Sequence, residues 1–301
     1  MDRFLVVGGD GLIGGALGKY LEERGKSICR TTHPAGAIDG ALGLDLCDLD
    51  HYPATMGELE SLALTGRLTV FLAAAISGYD QCENNPIASR RINVTNTHLL
   101  TQRLLAQGAF VVFLSSNAVF SGEQVPTEDS PRDPRSEYGR QKADAEICLL
   151  EAASGARAGS GVAVVRLTKV LSATQKLMHD WIGTLRGNGY IDAATDLSFS
   201  PISVHYVVQC LVQIGENRQS GVYHLSGPGD ASYFEFATML AKLLGVPGRN
   251  VRSIEIRGRL GVVPAPKFSY LDMAKTIKHI GICPQTMQSV AGDLLEAGFL
   301  S

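Results

Sequence analysis

The sequence predicts an α/β protein built on a doubly wound parallel sheet, from three kinds of observation. Apolar runs of strand length recur along the chain, as expected of strands buried on both faces. They are Phe4–Val7, Leu68–Ala75, Ala109–Leu114 and Val162–Leu167, with shorter candidates at Ser27–Thr31 and Gly221–Gly227. Helical patterns separate them, at Ala16–Arg24, Ile87–Gln107 and Ser136–Ala153. The 33 glycines among 301 residues suit the many tight turns between strands and helices of such a fold.

Composition and charge exclude several classes of function. Apolar residues make up 45% and charged residues 19% of the chain, as in ordinary globular proteins. The net charge of −3 gives no electrostatic case for binding nucleic acid or an anionic membrane. No apolar run reaches the roughly 18–20 residues of a membrane span, and the first residues enter a strand with no signal-like segment. The 6 cysteines are scattered without a C-x-x-C pair, so we expect a cytoplasmic protein without a metal site.

Glycines at 8, 11 and 14 follow the first predicted strand and lead into the first predicted helix. In this context Gly8 allows a tight turn, Gly11 lets the backbone approach a pyrophosphate, and Gly14 lets helix and strand pack closely. The helix N-terminus offers N–H groups to the phosphates. We therefore predict a dinucleotide-binding Rossmann domain in which Gly8, Gly11, Leu12, Ile13 and Gly14 contact the cofactor. The alternative is an ordinary glycine-rich turn.

The second predicted strand bears on which dinucleotide is bound. A site that prefers NAD usually places an acidic residue near the end of this strand. Residues 27–34 contain no acid, and Arg30 and His33 stand there instead. A cation could accept the 2′-phosphate of NADP, so the sequence favours NADP over NAD. The alternative is that Arg30 is simply solvated.

The regular alternation of strands and helices ends near residue 168. We predict that residues 1–168 form the Rossmann domain, with elements near 203–226 returning to it. Residues 169–301 are predicted to form mostly a smaller C-terminal α/β substrate-binding lobe.

Three side chains could reduce a carbonyl group. Tyr138 and Lys142 are four residues apart and share one face of a predicted helix. The phenol would transfer a proton, and the ammonium would lower its pKa from the usual value of about 10 and hold the nicotinamide ribose. Ser116, at the carboxyl end of a predicted strand, would orient the carbonyl oxygen. Because Y-x-x-x-K is common by chance, its weight comes from the glycine motif upstream.

The middle of the chain resembles the extended branch of the short-chain dehydrogenase/reductase superfamily. The pattern N-A-A…D-x-x-E-x-P…N-V-x-x-T is matched by Ala73-Ala74, Asp80, Glu83, Pro86, Asn93-Val94 and Thr97, with Leu72 in place of the first Asn. The resemblance implies a catalytic role for Ser116, three residues before Val119, and leaves Ser115 to cap or pack. It also implies cofactor contacts for Asp45, Leu46, Ala73, Ala74, Ala75, Asn93, Tyr138 and Lys142. Asp45 and Asp48 match a D-x-x-D-like stretch of the superfamily, and a helix cap at Asp48 is the alternative. Asn93 matches the Asn that supports the active-site lysine in many relatives, and a helix surface position is the alternative.

Beyond these motifs, Arg166-Leu167-Thr168-Lys169, the stretch Asp196–Pro201 and the stretch Gly221–Gly227 resemble more faintly the corresponding parts of one group within that superfamily, the dTDP-4-dehydrorhamnose reductases. That resemblance implies an NAD(P)H-dependent reductase of a nucleotide-diphosphate-linked keto-deoxysugar, with hydride from the nicotinamide and a proton from Tyr138. It also implies a homodimer formed through helices Ile87–Gln107 and Ser136–Ala153. The substrate would meet Ser116, Asn117, Thr168 and Lys169. Lys169 replaces an aromatic residue of those reductases and would face a diphosphate or carboxylate, unless it is a surface lysine.

Two other functions stay open. An epimerase or dehydratase would keep its NAD(P) tightly bound, although the acid pair of dehydratases is replaced here by Asn117 and Ala118. A non-catalytic NADP-binding regulatory subunit is the other possibility, but such a protein has no need of Ser116, Tyr138 and Lys142 together.

Overall fold

A computed structural model describes residues 2–34, 38–64, 66–157, 159–256 and 266–297. Within these ranges the strands are β1 (Asp2–Val7), β2 (Ser27–Thr32), β3 (Leu42–Gly43), β4 (Arg67–Leu72), β5 (Phe110–Ser116), β6 (Gly161–Leu167), β7 (Lys169–Leu171), β8 (Ile191–Ala194), β9 (Ser198–Phe199), β10 (Pro201–Ser203), β11 (Gly221–Leu225), β12 (Ala231–Ser232) and β13 (Val251–Ile254). The helices are α1 (Leu12–Glu23), α2 (Pro53–Leu64), α3 (Tyr79–Asn84), α4 (Pro86–Arg90), α5 (Thr97–Ala106), α6 (Glu137–Ser154), α7 (Lys176–Arg186), α8 (Val204–Asn217), α9 (Tyr233–Leu243), α10 (Ala274–Ile280) and α11 (Met287–Ala297). A π-helical segment, Arg91–Asn96, joins α4 to α5.

Seven strands form one sheet in the order β11-β6-β5-β4-β1-β2-β3. Strand β1 pairs in parallel with both β2 and β4, and β4 pairs in parallel with β5. The chain therefore builds the sheet outward from β1 in one direction and then in the other, which is the doubly wound arrangement. This confirms the predicted fold class. In such sheets ligands bind beyond the carboxyl ends of the strands where the order reverses, here between β1 and β4.

The first of two compact units comprises Met1–Ser121, Pro131–Arg166 and Val208–Tyr223. Its central strands β1, β4, β5 and β6 are buried along most of their length, as predicted for a parallel sheet, whereas the outer strands β2 and β3 are mostly half-buried. Leu5, Val70, Val111 and Val164 contribute to a core that also takes in residues of α2, α5 and α6. This core fixes the carboxyl edge of the sheet, where the candidate site lies.

The second compact unit comprises Gly122–Ser130, Leu167–Val207 and His224–Ser301. Its core gathers apolar residues of α7, α9 and α11. Three two-stranded sheets belong to it, β7–β10 and β8–β13 in parallel and β9–β12 antiparallel. The predicted division at residues 168 and 169 stays a prediction.

Several predicted elements differ in their bounds from the observed ones. Helix α1 begins at Leu12 rather than Ala16, because Gly14 packs inside its first turn. Strand β4 ends at Leu72 rather than Ala75, so the three alanines form a loop. Within the described ranges, each helix is too short or too polar to cross a bilayer.

Candidate active site

The turn between β1 and α1 is shaped by its glycines. Gly8 has a φ of +87°, a region that side chains rarely adopt, and a Cβ there would lie 2.7 Å from the backbone nitrogen of Ala74. A Cβ at Gly14 would overlap the carbonyl oxygen of Gly8. The N–H groups of Gly8 and Gly9 donate to the carbonyl of Thr31, at 3.2 and 2.7 Å. The turn thus needs the absence of side chains and takes its support from the neighbouring strand.

A cavity of about 290 Å³ opens beside this turn. Seven residues predicted to contact the cofactor line it: Gly8, Gly11, Asp45, Leu46, Ala73, Ala74 and Ala75. Leu12, Ile13 and Gly14 form the first turn of α1, whose N–H groups lack partners within the helix and whose dipole favours an anion. Thr31, Thr32 and His33 complete the wall on the β2 side.

Arg30 differs from the expectation that it faces the cofactor. Its guanidinium lies where a side chain at Gly18 would be and forms an ion pair with Glu22 of α1. The basic side chain that lines the cavity is His33, whose Nε2 lies 3.7 Å from an Asp45 carboxylate oxygen. The alternation of side chains along a strand explains the difference, because Arg30 and Thr31 point to opposite faces of the sheet.

The predicted catalytic side chains lie together where β5 meets α6. Ser116 ends β5, its hydroxyl accepts the N–H of Ala118 at 3.1 Å, and it lies close enough to the Tyr138 phenol to act on the pKa of that group. Lys142, one turn further along α6, donates from Nζ to the carbonyl of Leu114 at 2.8 Å. A Cβ at Gly139 would overlap the carbonyl of Ala118, so this glycine lets α6 approach the end of β5.

Burial is the main cause of the shifted pKa values of Tyr138 and Lys142. Burial and the neighbouring Tyr79 phenol raise the pKa of Tyr138, and the hydrogen bond with Ser116 acts in the opposite direction. The expected lowering of that pKa is therefore wrong for the protein alone: the ammonium lies 6.0 Å from the centre of the phenol ring, and desolvation dominates. Burial also lowers the pKa of Lys142 to about 8, although the Glu146 carboxylate counteracts it.

A buried ion pair lies behind Lys142. Glu146 is fully buried and accepts from the Arg166 guanidinium, at 2.7 Å to Nη2 and 3.0 Å to Nε. Ser115 donates its hydroxyl to the same carboxylate at 2.5 Å, and Arg132 donates to it at 3.2 Å. Ser115 therefore has the packing role that the sequence predicted for it, here as a hydrogen-bond donor.

Asn93 lies in the π-helical segment and is 1% exposed, so it is not a helix surface residue. Its side-chain oxygen accepts from the N–H of Ile76, and its side-chain nitrogen donates to the carbonyl of Ile76, both at 2.9 Å. Ile76 lines the cavity next to Ala75. Asn93 thus holds the wall of the cavity in place through the backbone of Ile76, and π-helical turns are frequent at functional sites.

The predicted substrate residues fall in both units. Asn117, in the first unit, accepts from the Ser116 hydroxyl at 3.3 Å. Thr168, in the second unit, is buried and donates its N–H to the carbonyl of Leu225 at 3.2 Å. Lys169 begins β7 and is exposed.

Sequence reasoning missed several residues of the site, among them Thr31, Ile76, Tyr79 and Gln141. Thr31 could have been found, because it stands at the carboxyl end of a strand next to the switch point. Tyr79 is 52% exposed with its ring centre 5.4 Å from that of Tyr138. Gln141 contacts side chains 48 and 52 residues away, and no local pattern indicates such contacts.

The residues present fit a dinucleotide. The turn at Gly8 and Gly14 has no room for a Cβ, so its backbone is open to a phosphate, and the first turn of α1 follows directly. Asp45, Leu46 and the three alanines would hold the other parts of the molecule along the cavity. A bound nicotinamide dinucleotide would supply a hydride.

Comparison with known proteins is consistent with this geometry. A family model, the RmlD substrate binding domain, matches residues 2–298. The methionine adenosyltransferase 2 subunit beta of Rattus norvegicus is 28% identical over 220 residues, which are 69% of this chain and 63% of that protein. The chain therefore spans less than two thirds of the length of that relative.

A probable dTDP-4,6-dihydroxy-2-methyloxan-3-one 4-ketoreductase of Streptomyces antibioticus is 27% identical over 277 residues, 89% of this chain and 85% of that protein. Among solved structures, a dTDP-4-dehydrorhamnose reductase from Bacillus anthracis str. Ames in complex with NADP has a TM-score of 0.78. It is 19% identical and covers 99% of this chain and 98% of its own. At that identity the likeness establishes a shared fold.

Proposed function

We propose a function from the premise that this chain belongs to the RmlD substrate binding domain family, within the extended short-chain dehydrogenase/reductase superfamily. We propose that it is an NAD(P)H-dependent reductase of a nucleotide-diphosphate-linked keto-deoxysugar. The observation that carries the proposal is the placement of Ser116 at the end of β5 beside the buried Tyr138 of α6, with Lys142 one turn further along the same helix.

Each of these side chains has a distinct task in the proposed reaction. Because its pKa is raised, Tyr138 keeps its proton at neutral pH and can give it to the oxygen of a carbonyl that accepts a hydride. Ser116 can donate a hydrogen bond to the same oxygen as negative charge develops on it. Lys142 supplies a positive charge in a buried setting, where charge has a strong effect.

We propose NADP(H) as the preferred cofactor. The absence of an acid at residues 27–34 supports this preference. Arg30 does not, since its guanidinium pairs with Glu22. His33, which lines the cavity, is the side chain that could meet the 2′-phosphate.

The test is consumption of NADPH with nucleotide-linked 4-keto-6-deoxysugars, followed by the absorbance of the reduced nicotinamide. Tyr138→Phe removes the proton and should lower kcat by about 10²- to 10⁴-fold, while the Kd for NADPH changes little. Tyr190→Phe, at a tyrosine that is 57% exposed in the second unit, is the matched control and should leave kcat unchanged.

Lack of NADPH turnover with every such sugar would contradict the proposed reductase. Conversion of the sugar without net NADPH consumption would indicate an epimerase. Full activity of Tyr138→Phe would show that another group donates the proton.

A second candidate is a non-catalytic regulatory subunit, because a subunit of methionine adenosyltransferase is among the relatives. For that function the chain should bind NADP without turnover and associate with a catalytic partner. Retention of Ser116, Tyr138 and Lys142 together where β5 meets α6 favours the reductase.

We also propose a homodimer formed through the helices from α4 to α5 and through α6. Ile87 on α4 is 87% exposed and Ile147 on α6 is 39% exposed. Large apolar side chains left in water on these helices support an interface there.

A further inference from the structure

Gln141 stands between Tyr138 and Lys142 on α6 and is fully buried. Its side-chain amide donates to the Ser89 hydroxyl at 2.8 Å and to the Glu137 carboxylate at 2.9 Å. Its oxygen accepts from the Asn93 amide at 2.8 Å. A buried primary amide with hydrogen bonds at both ends is costly to disturb, because any lost partner leaves a buried polar group unsatisfied.

The direction of these bonds is fixed from both ends. The N–H of Ile76 can only donate, so the Asn93 oxygen must face it and the Asn93 nitrogen is left to donate onward. At the other end an ionised Glu137 carboxylate can only accept, so the Gln141 nitrogen must face it. The Gln141 oxygen is thereby directed at the Asn93 nitrogen. The hydrogen-bonded series Glu137–Gln141–Asn93–Ile76, which we call the relay, has one consistent polarity.

The relay connects two parts of the site that have separate tasks. At one end, Ile76 belongs to the wall of the cavity that would hold the cofactor. At the other end, Gln141 is rigidly part of the helix that carries Tyr138 and Lys142. A shift of α6 therefore moves the acceptor of Asn93 and, through Asn93, the backbone at Ile76. The same coupling acts in reverse when the wall moves.

We propose that Gln141 is a positioning residue that couples the wall of the cofactor cavity to the catalytic helix. The proposal rests on the proposed function, because it assumes that the cavity beside Gly8 binds NAD(P)H. It predicts that Gln141 affects cofactor affinity through Asn93, although Gln141 does not itself line the cavity in the described structure.

The test is a double-mutant cycle read out as the Kd for NADPH, measured by its fluorescence, alongside the thermal unfolding midpoint. Gln141→Met keeps the length of the side chain and removes its hydrogen bonds, and should weaken NADPH binding about tenfold. Asn93→Ala should weaken it by at least as much. In the Asn93→Ala background, Gln141→Met should add less than about twofold, because its route to the wall is already broken.

Thr101→Val is the matched control. Thr101 is fully buried on α5, and its hydroxyl donates to the carbonyl of Thr97 at 2.8 Å. This substitution also removes a buried hydrogen bond and should lower the unfolding midpoint, but the Kd for NADPH should stay within about twofold of that of the unmodified protein. If Gln141→Met fails to fold, Gln141→Asn, with a side chain one methylene shorter, replaces it in the same cycle.

The outcomes separate the two proposals. An unmodified protein that binds neither NADPH nor NADH overturns the proposed function and the coupling together. If it binds NADPH but the Gln141 variants lower only the unfolding midpoint, as Thr101→Val does, the coupling is overturned and the reductase stands. Additive losses of affinity in the cycle also overturn it, because independent effects need no relay.

Discussion

The glycine-rich turn after β1 and the corner where β5 meets α6 would serve the same cofactor, yet they hold their shapes by different means. In the turn, backbone packs on backbone at Gly8 and Gly14, and the hydrogen-bond acceptor is the Thr31 carbonyl of the adjacent strand. At the corner, side chains hold the shape, because the buried Glu146 carboxylate accepts hydrogen bonds from Ser115, Arg132 and Arg166.

The difference predicts which substitutions would disrupt the structure of each region. A backbone-built turn depends on the absence of side chains within it and is indifferent to most residues around it. A corner held by buried charges depends on each member of the set, because removing one leaves another charge without compensation. Three experiments, from the largest expected effect to the smallest, would test this contrast.

The largest effect is expected from Glu146→Gln. The substitution keeps the shape but removes the charge that compensates Arg166, which is 1% exposed. We expect the free energy of unfolding to fall by about 3–5 kcal/mol, measured by urea denaturation. Glu151→Gln, at an exposed position of the same helix, is the control and should change it by less than about 0.5 kcal/mol. Equal effects of the two substitutions would remove the basis for the contrast.

A smaller effect is expected from pH. The pKa of Lys142 is about 8 because of its burial, so its charge is present below that pH and lost above it. Tyr138, with its raised pKa, keeps its proton over the same range. We expect kcat/KM for reduction to be level below pH 8 and to fall about tenfold per pH unit above it. A profile that stays level well into the alkaline range would mean that Lys142 keeps its charge or that the charge is not needed.

The smallest effect is expected at β2, on the side of the backbone-built turn. Because Arg30 pairs with Glu22, Arg30→Ala should change the ratio of the Kd values for NADH and NADPH by less than about twofold. His33→Ala should reduce that ratio by about two- to fivefold, because it removes the basic side chain that lines the cavity. A loss of NADP preference in Arg30→Ala alone would show that the guanidinium turns towards the ligand.

The same contrast explains what the sequence could predict. Gly8, Gly11 and Gly14 stand within one short segment, so their spacing alone indicated the turn. The Tyr138–Lys142 pair was predictable because a helix places residues four apart on one face. The partners of Glu146 and Gln141 come from distant segments, and only the packed structure brings them together. Arg30 shows a further limit, since its charge is evident from the sequence, but the face of β2 that it occupies depends on how the strand lies against α1.

The π-helical segment at Arg91–Asn96 has a consequence for the evolution of this chain. A π turn accommodates one residue more than an α turn, and each residue of an α-helix advances its neighbours by about 100° around the axis. Loss of a single residue here would let the turn close into regular α form, whereas the same loss within α5 or α6 would rotate the rest of that helix by about 100°. The place of Asn93 within the turn, and with it the contact with Ile76, would change even though its identity were unchanged. The length of this segment is therefore under the same constraint as the residues in it, and insertions or deletions should be tolerated in the surface loops but not between α4 and α5.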